Sequence, residues 1–209
     1  MSKSSLAIAA LPAETVDALS RLGKRLQLAR KKRDLSRAEL AKWAGISAQS
    51  AAYIERGKPS VSLRMLIAVM LAMDLGLDLE EIAHAGVPGE EREEKIRDLE
   101  VHLSCMSFEA RSLELLRRLG SRIRGLRRAD KLRIADVANC MYASPVTVRH
   151  IEQGAPSVSL GVTAAMLACL RRPDEFEKLA QPTHDRIGMS LDAYKHDHRK
   201  RIRRKIGRQ

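Results

Sequence analysis

Shifting the 209-residue sequence by 97 positions lays one segment of it over another without a gap. Residues 19–83 align with 116–180. Leu22-Gly23 meets Leu119-Gly120, Arg30 meets Arg127, Leu35 meets Leu132, Ile54-Glu55 meets Ile151-Glu152, and Gly57 meets Gly154. The block Pro59-Ser60-Val61-Ser62-Leu63 returns unchanged as Pro156-Ser157-Val158-Ser159-Leu160. A match of this length marks a duplicated module, so the chain meets the same packing problem twice.

The repeated unit is helical. Val16, Leu19, Leu22, Leu26 and Ala29 recur at the spacing of one helix face, as do Leu113, Leu116, Leu119, Ile123 and Leu126. Ser36 with Glu39 predicts a capping box for a second helix carrying Leu40, Ala41 and Ala44. Gly45 then makes a turn, Ser47 caps a third helix, and Gly57 ends it. Ser62 is expected to cap an almost wholly apolar fourth helix through Leu66, Ile67, Met70 and Leu71, and a short fifth helix holds Leu79 and Ile82. In the second copy Arg133 replaces the capping serine and Tyr142 stands where Gly45 turns the chain. Both changes cost stability if the geometry is kept, because a bulky residue resists positive φ. Pro145 suits the first position of a helix, where no intrahelical donor is lost. Aromatic residues make up only 3% of the chain, which also favours helices over sheets.

The residues Leu35-Ser36-Arg37-Ala38-Glu39-Leu40-Ala41, Gly45-Ile46-Ser47 and Ile54-Glu55-Arg56-Gly57-Lys58 closely resemble the lambda-repressor-like (Cro/CI, or XRE) helix-turn-helix family. The second copy is similar through Ala138, Ala143-Ser144-Pro145-Val146-Thr147-Val148-Arg149 and Ile151-Glu152-Gln153-Gly154. The resemblance implies an all-α fold of two tandem five-helix domains, over 14–85 and 107–181, joined by a helical linker. It also implies that helix three lies in the major groove while helix two crosses the backbone. Carried over by position, the base-reading candidates are Ala48, Gln49, Ser50 and Tyr53 in the first copy. Their counterparts in the second are Pro145, Val146, Thr147 and His150. Gln49 suits a bidentate bond to adenine and Ala48 a thymine methyl. Arg37, Lys58 and Arg149 complete the DNA-facing set, with Arg37 and Arg149 on phosphates. Ile134 replaces Arg37 in the second copy, which weakens the case for DNA binding there. Arg30–Glu55 and Arg127–Glu152 match the family's internal ion pair between helices one and three. Blander readings stand beside these: Gln49 and Ser50 as solvated polar groups, Tyr53 packed on helix two, and His150 as a partly buried helix residue. Trp43 is expected in the core or an interface.

Residues 1–13 lack a repeat counterpart and are expected to form a mobile arm. Gly86-Val87-Pro88-Gly89 is a turn opening a linker over 86–106, where Ile96, Leu99, Leu103 and Met106 form an apolar stripe. That stripe reads either as a linker helix against its own domains or as the seam of a homodimer through 90–106. The tail, 182–209, ends in a basic run from Lys195 to Arg208 interrupted by one acid, Asp197. On DNA such a run neutralises phosphates and releases counterions. Asp185-Arg186-Ile187-Gly188-Met189-Ser190-Leu191 and Arg199-Lys200-Arg201-Ile202-Arg203 also resemble the ends of some regulators encoded beside HipA-type kinase toxins.

The net charge of +12 points to a polyanionic partner. Cys105, Cys140 and Cys169 are scattered and form no CxxC pair, which predicts free thiols in a reducing compartment. No apolar run reaches the length of a membrane span, so a cytoplasmic protein, nucleoid-associated when bound to DNA, is expected. There is no nucleophile–base cluster, phosphate loop or metal-ligand pair, and His196 and His198 have no further ligands near them. No enzyme, cofactor or metal is expected. The leading expectation is a sequence-specific transcriptional regulator, most simply a repressor on double-stranded DNA. The alternative is an antitoxin or antiactivator whose second module or tail grips a protein, a reading that Tyr142 and Ile134 favour.

Overall fold

The computed structural model describes residues 3–81, 89–183, 185 and 187–193. The helices are α1 (Lys3–Ala9), α2 (Ala13–Lys32), α3 (Arg37–Ala44), α4 (Ala48–Glu55), α5 (Leu63–Ala72), α6 (Gly89–Ser104), α7 (Phe108–Ala129), α8 (Ile134–Cys140), α9 (Pro145–Glu152) and α10 (Leu160–Cys169). Short 3₁₀ segments, Gly76–Glu81 and Glu175–Lys178, follow α5 and α10, and residues 187–193 are helical. No strand forms among the described residues. Module one is α2 to α5 with the first 3₁₀ segment, and module two is α7 to α10 with the second.

Local chemistry sets the helix starts. Ser36 Oγ accepts from Glu39 N at 3.2 Å while Glu39 accepts from Ser36 N at 2.7 Å, closing the capping box on α3. The Ser47, Ser144 and Ser159 hydroxyls cap α4, α9 and α10, each by accepting from the backbone N–H three residues on. Before α8, Asp136 accepts from Arg133 N at 3.0 Å, so one arm of the box survives the loss of the serine. Gly45 ends α3 at φ +64°, and Tyr142 occupies the equivalent left-handed position at φ +50°. The duplicated geometry is therefore kept in module two with a bulky residue in a strained conformation.

One hydrophobic cluster runs through both modules. It includes Leu19, Leu22, Leu26, Leu40, Leu66 and Ile67 from the first and Leu116, Leu119, Ile123, Val137 and Leu160 from the second. The modules also meet through backbone hydrogen bonds. Ser62 and Ser159 form an antiparallel bridge, with Leu63 N on Val158 O at 2.9 Å and Leu160 N on Val61 O at 2.7 Å. Glu80 of module one receives Arg118 at 3.1 Å and Arg122 at 2.6 Å from α7. In return Arg21 of α2 pairs with Glu177, and Arg25 donates to Leu179 O, Phe176 O and Glu177 O at 3.0, 3.2 and 3.0 Å.

Several expectations need correcting. The segment expected as a mobile arm contains α1, whose Ala7 is buried against α10 of module two. Its short apolar run finds cover only because module two folds back over the chain's beginning. Ser62 sits at the α5 N-cap position, but its hydroxyl donates to Pro156 O at 2.9 Å, so the junction takes the group that a lone module would use as a cap. The fifth helix is a 3₁₀ segment, and Ile82 lies outside the described residues. The α6 stripe is not an open dimer seam: Leu99 and Leu103 are buried in the chain's own cluster and Met106 packs against it. Cys140 and Cys169 are disulfide-bonded, Cα to Cα 6.0 Å, and Cys105 is free and exposed. The C-terminal ends of α8 and α10 meet in space, which a separation of 29 residues does not reveal. The Gly86-Val87-Pro88 turn and the basic run from Lys195 onward lie outside the described residues. The near end of the tail instead returns to module one. There Arg33 donates to both Asp185 oxygens at 3.0 and 2.7 Å and to Met73 O, and Lys32 pairs with Asp192.

Candidate nucleic-acid interface

In each module two short helices joined by a tight turn, α3–α4 and α8–α9, pack on the long first helix. The third helix buries its rear face, Ala51 and Ile54 in α4, Val148 and Ile151 in α9. Its outer face stays open. Ala48, Gln49 and Tyr53 are exposed on α4 and Ser50 is half-buried; Pro145, Val146, Arg149 and His150 are exposed on α9 and Thr147 is half-buried. Lys58 is exposed just beyond α4.

The outer side chains of α4 are held in place. Gln49 Nε2 donates to Tyr53 Oη at 2.8 Å, one helical turn away. This bond fixes the amide on the open face and leaves its carbonyl oxygen and second N–H for a ligand. Ser50 Oγ lies 2.9 Å from the capping Ser47 Oγ, and Thr147 Oγ1 lies 2.9 Å from Ser144 Oγ. The Gln49–Tyr53 pair becomes Val146 and His150 in module two, so both members of the bond change together.

Buried ion pairs anchor the third helices from behind. Arg30 Nε donates to Glu55 Oε1 at 2.5 Å, and its other nitrogens reach Glu55 Oε2 and Leu35 O. Arg127 repeats this on Glu152 and Leu132 O. Arg37 also donates to Glu55, at 2.7 Å, while remaining half-exposed, so its orientation is fixed from the protein side. Burial alone would push the Glu55 carboxyl up, but the hydrogen bonds and charges of Arg30 and Arg37 outweigh it and hold it below the usual glutamate range. Hydrogen bonding to Glu152 raises the Arg127 guanidinium against the opposing effect of burial. In module two Arg37 is replaced by Ile134, and Arg124 of α7, 4.0 Å from Glu152, supplies the second cation. Helix one contributes at the same place in module one, where Gln27, the counterpart of Arg124, donates to Glu55 at 3.4 Å.

A close backbone contact, missed in reading the sequence, sets the depth of each third helix. A Cβ on Gly23 would lie 2.6 Å from Glu55 O and 2.7 Å from Gly57 N; on Gly120 it would lie 2.6 Å from Ile151 O and 2.7 Å from Gly154 N. The only signal was the recurrence of Leu-Gly at the repeat offset. Trp43, expected in the core or an interface, is more than half exposed.

A family model described as a helix-turn-helix domain matches residues 21–85 and again residues 118–179, together more than half of the chain. The chain belongs to the helix-turn-helix family. It carries two tandem Cro/CI- and XRE-like copies of the domain in an all-helical fold. No curated protein and no solved structure matches it. Its domains are those of a DNA-binding regulator, a family that is typically non-enzymatic. No described helix is long and apolar enough to cross a membrane, and no group of three metal-ligating side chains forms among the described residues.

Proposed function

We propose that the chain is a sequence-specific transcriptional repressor that occupies a promoter and reads the major groove with α4 and α9. The observation that carries this reading is the state of α4. Its rear is locked by the Arg30–Glu55–Arg37 cluster while Gln49, tied to Tyr53, presents a free amide edge on the open face. A helix so fixed loses little further freedom on docking, and an amide edge matches the donor–acceptor pair of adenine. Lys58 and Arg149 supply phosphate contacts that set register.

Selection of bound duplexes from a random pool tests this, with the intact protein and with Gln49→Ala and Arg149→Ala variants. A defined motif should emerge. Gln49→Ala should lose about 1–3 kcal/mol of discrimination at one position, while Arg149→Ala should weaken binding and its salt dependence without changing the motif. Transcription in vitro from a promoter carrying the motif should fall as protein is added. Stimulation would refute repression, and failure to enrich any motif would refute DNA reading. A second reading, capture of a protein as an antitoxin or antiactivator does, draws on the exposure of two large apolar side chains of module two, Tyr142 and Val146. In that case Tyr142→Ala would abolish the regulatory effect while leaving the selected motif unchanged.

A further inference from the structure

The junction between the modules has a symmetry that tandem repeats joined end to end do not have. At an offset of 97 residues, Ser62 is the counterpart of Ser159, so the bridge pairs a position with its own copy. Leu63 N bonds Val158 O while Leu160 N bonds Val61 O, and these are the same bond with the modules exchanged. Arg118 and Arg122 reach Glu80; their counterparts Arg21 and Arg25 reach Glu177 and its neighbouring carbonyls. Contacts in which i meets j and j meets i are isologous and imply a local two-fold axis. A head-to-tail repeat gives heterologous contacts instead. The axis passes by Ser62 and Ser159, and each third helix ends seven residues before it, at Glu55 and at Glu152. Seven residues span at most about 25 Å, so the two helix ends lie within roughly 50 Å of each other. The separation of 34–36 Å for half-sites one turn apart falls inside that bound.

We infer that one chain does the work of a dimer: it binds a single duplex site 1:1, with two dissimilar half-sites in inverted orientation at one fixed spacing. This rests on the proposed DNA reading. Inversion follows from the two-fold axis, since DNA half-sites related by that operation run in opposite directions. The fixed spacing follows from the junction, whose Glu80 and Leu63–Val158 contacts are buried or backbone-made and leave no free hinge between the reading helices. Dissimilarity follows from the side chains, because the equivalents of Gln49, Tyr53 and Lys58 are Val146, His150 and Ala155. Module one presents an amide edge and module two an apolar one, suited to a thymine methyl.

The test uses the intact chain and varies only the DNA. Half-sites taken from the selected motif are rebuilt as the composite, as a composite with one half reversed, as a composite with about half a helical turn inserted, and as a palindrome of the Gln49-sensitive half. Binding isotherms are combined with the mass of the complex in solution. The composite should bind tightest as one chain per duplex. Reversal or insertion should lower affinity about 100- to 10,000-fold, the gain that joining two modules confers. Two chains per composite, tolerance of the insertion, or equal binding of the reversed site would overturn the inference while leaving sequence-specific reading intact. Absence of any preferred sequence would overturn both.

Discussion

Replacing Gly120 by alanine should destabilise the protein, although the same change in an ordinary helix stabilises it. Gly120 and Gly125 both lie within α7. Alanine is favoured over glycine in a helix interior by up to about 1 kcal/mol. At Gly125 nothing lies within 4 Å of an added Cβ, so Gly125→Ala should show that gain, raising Tm by about 1–4 °C. At Gly120 the added carbon would sit 2.6 to 2.8 Å from Ile151 O, Gly154 N and Glu152 O. These are backbone atoms and cannot rotate away, so either α9 moves outward or the strain is kept. Overpacking of this kind costs about 1–3 kcal/mol, or about 2–12 °C of Tm in a chain of this length. Thermal and urea unfolding followed by circular dichroism would measure both variants against the parent. A Gly120→Ala protein as stable as the parent would refute the claim that backbone contact sets the depth of α9.

Three further predictions follow from individual contacts. The carboxyls of Glu55, Glu80 and Asp185 are each pushed up by burial and held below their usual range by the arginines bonded to them, so their stabilisation is complete above the ordinary carboxylate pKa of about 4 and is lost as pH falls through the lower folded values. Urea unfolding should therefore show stability level from neutral pH to about 5 and falling below, with a shallower fall in Glu80→Gln; an unchanged slope in that variant would count against the junction pair. Cys169→Ala opens a loop of 29 residues and should cost about 3.6 kcal/mol by chain entropy. A reductant should lower the Tm of the parent and leave the Tm of this variant unmoved. Tyr142→Gly relieves a left-handed residue and should stabilise by about 1 kcal/mol, since the exposed ring gives up little packing; a loss in urea unfolding would mean that the ring makes a contact worth more than the strain.

Which features could be read from the chain depended on how local their physics is. The capping box at Ser36 and Glu39, the glycine turn at Gly45 and the proline opening α9 need only neighbours within four residues, and each forms where the residues place it. The exposed set on α4 and α9 could be named from the motif, because position along a short helix fixes which face a side chain occupies. The departure of module two at the start of its second helix was visible too, as Ile134 in place of Arg37. The second cation beside Glu152 was not, because Arg124 comes to within 4.0 Å of it from a different helix. The same limit applied to the cysteines. Scattered spacing reads as free thiols, yet Cys140 and Cys169 meet because two helix ends converge.

The sequence by itself determined that a helical module occurs twice and, Ser62 apart, which residues cap, turn and face outward. These are consequences of periodicity and of hydrogen bonds closed within a few residues. Only the tertiary structure decided how the two copies meet. The local two-fold axis, the use of Ser62 Oγ in the junction rather than as a cap, and the covering of Leu99, Leu103 and Ala7 depend on surfaces far apart in the chain. An apolar stripe records that it must be covered, and the covering surface is chosen by the packing of the whole molecule.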